Sequence, residues 1–504
     1  AYYKDCWISN NFRDKWIFNE KLCDLKKPKD ECAVFGVFNN KSASSLTVLG
    51  LHALQHRGQD STGIVSYDYN KFYAHRGIGQ VSEVFEDSEI ISKLKGNTAI
   101  GHNRYGTTGE SALKNVQPLF SELSIGGISI AHNGNLTNTA TLKKKLIETG
   151  SIFQSTSDTE VILHLISTAK GNLIDRLNYA LQSISGAYSL LILTEKNLIG
   201  IRDPFGIRPL VLGKLNDSFI LSSESCGLDI IGAELIRDVK AGEMIVIDNN
   251  GFKSFFPFKT SRLRPCLFEY IYFSRPDSFL EGRSVYQVRK KIGQELAKES
   301  LEDKNNIDIV VPIPDSGNAS ALGYSEVIKK PFEFGIIRNH YTGRTFIEAT
   351  SSIRNLSVKL KHNPNYQPLS GKNVALIDDS IVRGTTSVKI VEMLRNCGVK
   401  KIHMRIASPP VKYPCYYGID TPSKDELLAH KYSVEEIAKI IKVDSLKFVS
   451  LDGVYRALGF KNGRDPSEPQ FTDHYFSGDY PVKLVDKNIG HEPSQLSLLI
   501  EAKR

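Results

Sequence analysis

The sequence predicts two joined domains of different class: an α+β first half built on antiparallel sheets, and an α/β second half with a mostly parallel sheet. Three observations carry this. The chain has 504 residues, more than the ~250–300 that one hydrophobic core serves. Between residues 33 and about 263, short apolar strands follow one another through turn-like connectors such as Asn216-Asp217. From about Ser284 the rhythm changes to alternating helix and strand, as βαβ units require.

The elements follow in order. Residues 1–31 stand apart, mixing Trp7 and Trp16 with Lys and Asp and ending in a charged run; they read as a leader with no secretory h-region. Strands are expected at 34–38, 63–67, 128–131, 187–193, 198–202, 210–215 and 219–223. Helices are expected at 45–55, 138–149 and 158–168, where apolar residues recur near every 3.6. In the second half a helix at 285–301, with Ser284 as its cap, precedes a strand at 307–313. Strand 374–377, helix 387–396, stop signal Gly398 and strand 401–407 complete a βαβ unit. This divides the chain into 1–31, 32–265, 266–470 and a C-terminal segment, 471–504.

Composition narrows the function. With 64 Lys+Arg against 56 Asp+Glu, the net charge of +8 is too mild for nucleic acid and suits an anionic small substrate. No run approaches the ~18 apolar residues of a membrane span. Seven cysteines, an odd and sparse set, form no disulfide framework and point to a reducing compartment, the cytoplasm or an organelle such as a plastid.

The second half carries a dense motif at 374–387. An apolar strand delivers Asp378 and Asp379 to its C-terminal end, where open α/β sheets bind ligands. Ser380, Arg383, Gly384, Thr385, Thr386 and Ser387 then form a short loop that opens a helix, an anion site of N–H groups and hydroxyls. Carboxylates beside a phosphate cradle suit a sugar phosphate, accepting from ribose hydroxyls or holding Mg²⁺. The plain alternative is two solvated acids with Thr385 or Thr386 as an ordinary helix cap. The stretch resembles the PRPP-binding motif of type I phosphoribosyltransferases. That resemblance implies a pyrophosphate loop, matched by 309–317, and a mobile loop, matched by 338–346 with Tyr341 and Arg344. Residues 338–362 carry Arg338, Arg344, Arg354, Lys359 and Lys361 against Glu348 alone, an anion clamp beside a pyrophosphate.

In the first half, Cys32 stands at a strand start. Taken alone it is a buried structural cysteine. With the leader removed after Glu31 it would bear both a thiol (pKa ~8.5) and an α-amine (~7.7–8.0) able to act as its base. Motifs at 54–63, 101–109, 131–136 and 155–160 follow, and together they resemble the class II N-terminal-nucleophile glutamine amidotransferases. The resemblance implies a four-layer αββα domain and a division of labour. Arg104 forks onto the α-carboxylate of glutamine. Asp158 pairs with its ammonium, and Arg57 also binds glutamine. Asn133 and Gly134 aim at an oxyanion. His56, His102 and His132 are read as structural, because the mechanism needs no imidazole base.

The two halves in this order, with junction motifs at 202–209 and 270–278, resemble the glutamine PRPP amidotransferase family across about residues 32–490. The family implies ammonia released at Cys32 and passed to PRPP, giving phosphoribosylamine, glutamate and pyrophosphate at the first committed step of purine biosynthesis. It implies Mg²⁺ at Ser316, Asp378 and Asp379, inhibition by purine nucleotides, and a homodimer or homotetramer. Some members hold a [4Fe-4S] cluster on four cysteines. Here Cys266 and Cys415 match two ligand positions, while Thr472 and Tyr475 occupy the others, so no cluster is expected. A sugar-isomerase amidotransferase would instead show repeats in the second half, and a non-catalytic PRPP sensor would not need the glutaminase motifs.

Overall fold

A computed structural model of the chain describes residues 29–30, 32–105, 113–339, 362–420 and 423–486. The first domain is a sandwich of two antiparallel sheets. One has seven strands in the order Glu234–Asp238, Val211–Leu215, Ser218–Ser222, Cys32–Phe38, Thr98–Arg104, Ser61–Tyr67 and Phe72–Ile78. The other has six: Gly251–Phe255, Met244–Asp248, Leu198–Arg202, Gly186–Thr194, Gly126–Leu136 and Leu119–Leu123. Side chains alternate along Cys32–Phe38 as strand geometry requires. Ala33, Phe35 and Val37 pack with Leu51 of helix Ala43–Ala53. Val34 and Phe38 point the other way, onto Leu191 and Leu198 of the second sheet. The outer face of that sheet, through Ile130, Leu190 and Ile192, is covered by helices Asp158–Thr168 and Leu173–Ser183. Helix, sheet, sheet and helix make the four-layer αββα arrangement.

The second domain has a sheet of four strands, all parallel, in the order Ile309–Pro312, Asn373–Asp378, Lys401–Ile406 and Ser445–Phe448. Both faces are covered, and the run Val374–Ile377 and the strand Ile309–Pro312 are accordingly apolar throughout. Helix Val285–Lys298 packs on one face through Val288, Ile292 and Leu296. Helices Thr385–Asn396 and Val434–Ile441 pack on the other.

The chain crosses between domains through a five-residue π-helical turn, Glu269–Phe273. Residues 471–486 pack against this junction and the first domain. Thr472 bridges to Cys266, and Phe471, Tyr475 and Phe476 enter the core that surrounds the junction. Beyond it, the Asp486 carboxylate accepts from Ala140 N–H at 2.7 Å and Thr141 Oγ1 at 2.6 Å, on the first turn of helix Thr139–Glu148. Lys29–Asp30 pairs with Ile419–Asp420 of the second domain; the rest of the leader, residues 1–28 and 31, lies outside the described residues. Among the described residues no helix is long and apolar enough to cross a membrane.

Sequence reading missed the strand Thr98–Arg104 because buried His102 and Asn103 interrupt its apolar pattern. Hydrogen bonds compensate them: His102 Nε2 lies 2.9 Å from His132 O, and Asn103 Nδ2 donates to Leu51 O at 2.7 Å. The strand Phe72–Ile78 was missed because it lies at a sheet edge, half exposed.

Candidate active sites

Cys32 sits in register with Arg104 on the neighbouring strand and is only 7% exposed. Asn133 and Gly134 approach from the other sheet. Asn133 is fully buried; its Nδ2 lies 3.4 Å from Ser223 Oγ, which accepts the Val34 N–H at 2.9 Å. Ser223 thus ties the amide to the strand two residues beyond the thiol. Asn133 Oδ1 has no donor among the described residues. Leaving a buried polar atom unmatched costs ~1–3 kcal/mol, and such sites are completed by polar ligands. Gly134 has φ 137°, and a Cβ there would run into Ala187 O and lie 2.9 Å from Tyr188 Cα, so only glycine fits.

Asp158 is the first residue of helix Asp158–Thr168, after the Ser157 cap. Its Oδ2 accepts Leu136 N–H at 3.1 Å and its Oδ1 lies 3.4 Å from His132 Nδ1. Burial would push the carboxyl up, but His132 and the Leu136 and Thr159 N–H groups outweigh it and hold it below the usual range. Arg104 Nη1 donates to Asn115 O at 3.3 Å, and the Asn115 side chain brackets Thr156 with two 3.0 Å bonds. Through Asn115 and Thr156, Arg104 is linked to the segment that leads into Asp158, so a cation and an anion share one hydrogen-bonded network. His132, read as structural from sequence, orients Asp158.

In the second domain Asp378 and Asp379 are each 1% exposed. Asp379 N–H donates to Asp378 Oδ1 at 2.9 Å, and Asp379 accepts from Ser316 Oγ at 3.1 Å and Ser380 Oγ at 3.3 Å. The strand end and the pyrophosphate loop thus meet. A shallow hollow is lined by Asp378 and residues 380–387. Helix Thr385–Asn396 starts behind Gly384 at φ 73°, with no side chain capping it. Thr385 and Thr386 are not caps, and the first-turn N–H groups face the hollow, where an anion would satisfy them. Arg383, also on the wall of the hollow, has its Nη2 3.3 Å from Glu426. Tyr341 and Arg344 lie outside the described residues.

A cavity of about 400 Å³ lies between the two domains. Gln59 and Tyr105 line it from the first domain, and Arg289, Ser316 and Arg338 from the second. Beside it runs a buried ionic network. Arg57, expected to bind glutamine, is instead fully buried. Its Nη2 lies 2.7 Å from both Glu269 oxygens and its Nε 3.1 Å from Glu224. Glu224 accepts from the Arg275 N–H at 2.9 Å and Ser278 Oγ at 2.6 Å, and lies 2.6 Å from His56 Nε2. Ser274 Oγ donates to Glu269, and Arg289 holds Tyr270 O and Ser274 O at 2.9 and 2.6 Å. Glu224 of the first domain and Glu269 of the junction thus both bear on this arginine.

Comparison with known proteins agrees with this layout. The glutamine amidotransferase domain family matches residues 102–229, and the phosphoribosyl transferase domain family matches 284–408. An amidophosphoribosyltransferase of Rhizobium etli is 54% identical, covering 93% of this chain and 95% of its own length. The chain belongs to the amidophosphoribosyltransferase family. It is thus a glycosyltransferase with a glutamine amidotransferase domain, of the class that serves purine biosynthesis. The Bacillus subtilis amidophosphoribosyltransferase is 44% identical over 93% of this chain and 98% of its own. A chloroplastic one from Arabidopsis thaliana is 48% identical over 92% and 81%. The solved structure of the B. subtilis PRPP amidotransferase complexed with ADP and GMP superposes with a TM-score of 0.85 at 43% identity, covering 90% of this chain and 98% of that one.

Against that family background, the cysteine pair has its own arrangement here. Cys266 and Cys415 Sγ lie 3.4 and 3.3 Å from one atom, the hydroxyl of Tyr475. Thr472 Oγ1 donates to Arg264 O at 2.6 Å. Burial is the main cause that pushes the two thiols up, to about 12 for Cys266 and about 11 for Cys415, so both stay protonated. Two protonated thiols with a phenol between them do not fit a four-thiolate cluster. Sequence reading also missed Ser223, Glu224, Glu269 and Arg289. The polar run Ser222-Ser223-Glu224-Ser225 directly after an apolar strand was the available signal.

Proposed function

We propose that the first domain hydrolyses glutamine at Cys32 and that the ammonia crosses the interdomain cavity to aminate PRPP in the second. The observation that carries this reading is the cavity itself, which joins Tyr105, next to Arg104, with Ser316, bonded to Asp379. Arg104 binds the α-carboxylate of glutamine and Asp158 its ammonium, leaving the side-chain amide toward Cys32. With the Glu31–Cys32 bond hydrolysed, the Cys32 α-amine takes the thiol proton as Sγ bonds to the amide carbon. The Asn133 amide and Gly134 N–H stabilise the oxyanion. The C–N bond breaks, the amine returns the proton, ammonia leaves, and water cleaves the thioester to glutamate.

Asp378 and Asp379 accept from the ribose hydroxyls of PRPP, and the 384–387 turn holds its 5-phosphate. Ammonia forms a bond to C1 of the ribose while the C1–O bond to pyrophosphate breaks. Arg338, 2.6 Å from Asp315 at the cavity wall, lies where that leaving group would emerge. Two buried carboxylates and the Ser316 hydroxyl, all hard oxygen donors, fit Mg²⁺ with its remaining waters and phosphate oxygens. When bound, Mg²⁺ neutralises charge on the departing pyrophosphate. By the same reading, purine nucleotides inhibit the enzyme, it assembles as a homodimer or homotetramer, and it works in the cytoplasm or another reducing compartment.

The test is PRPP-dependent glutamate release, with Mg²⁺, by wild type and Cys32→Ala. Cys32→Ala is expected to lose glutamine-dependent synthesis and keep synthesis from ammonium salts. Retained glutamine activity in Cys32→Ala would remove Cys32 as nucleophile.

A further inference from the structure

We propose that a loop of the second domain, residues 413–418, is a positioning element for the oxyanion site of the first. The inference rests on the reading of Asn133 and Gly134 given above and names a support that neither domain motif includes. Gly418 has φ 101°, and a Cβ on it would lie 2.8 Å from Gly134 Cα and 2.9 Å from Gly134 C. Two glycines from different domains thus touch backbone to backbone. On its other side Gly134 is closed in by Ala187 and Tyr188. One residue on, Asn135 Nδ2 donates to Tyr416 O at 2.9 Å. Gly134, the residue whose N–H faces the oxyanion in that reading, is therefore clamped between its own sheet and the loop.

The loop is itself pinned from behind, which gives the unexplained thiols a role. Cys415 Sγ, beside the Tyr475 hydroxyl, accepts from Tyr417 N–H at 3.3 Å. Tyr417 OH donates to Val482 O at 2.7 Å, and Tyr480 OH donates to Pro414 O at 2.7 Å. The Cys266–Tyr475–Cys415 bridge is then the rear anchor of an element whose front rests on Gly134.

Gly418 and Asn135 act through Gly134 and touch no substrate, so their signature is a split between kcat and KM. Gly418→Ala is expected to lower the kcat for glutamine hydrolysis about tenfold or more, since removing an oxyanion donor outright costs about 10²–10³. The glutamine KM should stay within about twofold, because Arg104 and Asp158 are untouched, and ammonia-dependent synthesis should stay within about twofold of wild type. Asn135→Ala should show a smaller loss of the same kind, and it decides alone if Gly418→Ala does not accumulate as folded protein. A wild-type glutamine kcat in both variants overturns the inference, as does parallel loss of glutamine- and ammonia-dependent synthesis. Absence of glutamine hydrolysis in the wild type overturns the glutaminase reading itself, and the inference with it.

Discussion

Replacing Arg57 with methionine separates a substrate role for that residue from a junction role. Methionine keeps most of the length and packing of the side chain but removes the guanidinium 2.7 Å from Glu269 and 3.1 Å from Glu224, leaving Arg208 3.2 Å from the first and His56 2.6 Å from the second. Breaking a buried ion pair by removing one partner costs about 3–5 kcal/mol. For a domain of about 230 residues, whose unfolding entropy is about 0.5 kcal/mol/K, a loss of about 4 kcal/mol lowers Tm by about 8 °C. Burial alone would raise the Glu224 carboxyl; His56 and Arg57 outweigh it and hold it far below the usual range. A depressed carboxylate contributes stability above its unfolded pKa of ~4.3 and loses it as pH falls through the folded value. In Arg57→Met that contribution is reduced, so the Tm deficit should hold level from pH 8 to about pH 5 and narrow as pH falls below ~4.3. The assay is calorimetric melting across that range, with the glutamine KM measured on the folded fraction. A Tm within about 2 °C of wild type, together with a glutamine KM raised tenfold or more, would refute the junction role and return Arg57 to the substrate.

Two further outcomes follow from buried groups. His474 is fully buried between Tyr475 and Tyr480, with neither ring nitrogen hydrogen-bonded among the described residues, and burial pushes it down to about 3. Its unfolded pKa is ~6.5, so it erodes stability as pH falls below that, by about 2 kcal/mol at pH 5. His474→Phe should therefore gain on wild type in urea melts at pH 5 and match it more closely at pH 8; a constant difference at both would contradict this. Iodoacetamide at pH 8 should leave Cys226, Cys266 and Cys415 unmodified in the native protein, because burial raises all three thiols. Peptide mass spectrometry showing Cys266 labelled as fast as in a denatured control would sink that account.

What was legible in the sequence was local. Helix 158–168 matched to the residue because Ser157, an acidic first turn and a 3.6-residue apolar pattern all agree. The strand-to-helix turn at 380–387 was legible because strand, acids, glycine and helix start are contiguous. What failed to show was what depends on partners far along the chain. The ion pairs of Arg57 were invisible because their carboxylates, Glu224 and Glu269, come from distant segments that no spacing rule connects to it. Tyr475 looked like a lost metal ligand, whereas in three dimensions its hydroxyl takes up the space between two thiols. Polar strands such as Thr98–Arg104 hide for the same reason: their burial is justified by bonds to other strands and helices, which a local pattern does not contain.

The bonds from Asp486 to Ala140 and Thr141 have a consequence in time. They join positions 346 and 345 apart in the chain. A ribosome adding about 5–20 residues per second needs about 20–70 s to travel that far. For the later part of that interval, once residue 265 has been added, the first domain is fully synthesised, yet the start of its helix Thr139–Glu148 and the strand end carrying Gly134 wait for contacts encoded at the far end of the message. The order of translation thus delays the complete ammonia-producing site until the domain that consumes ammonia has already been made.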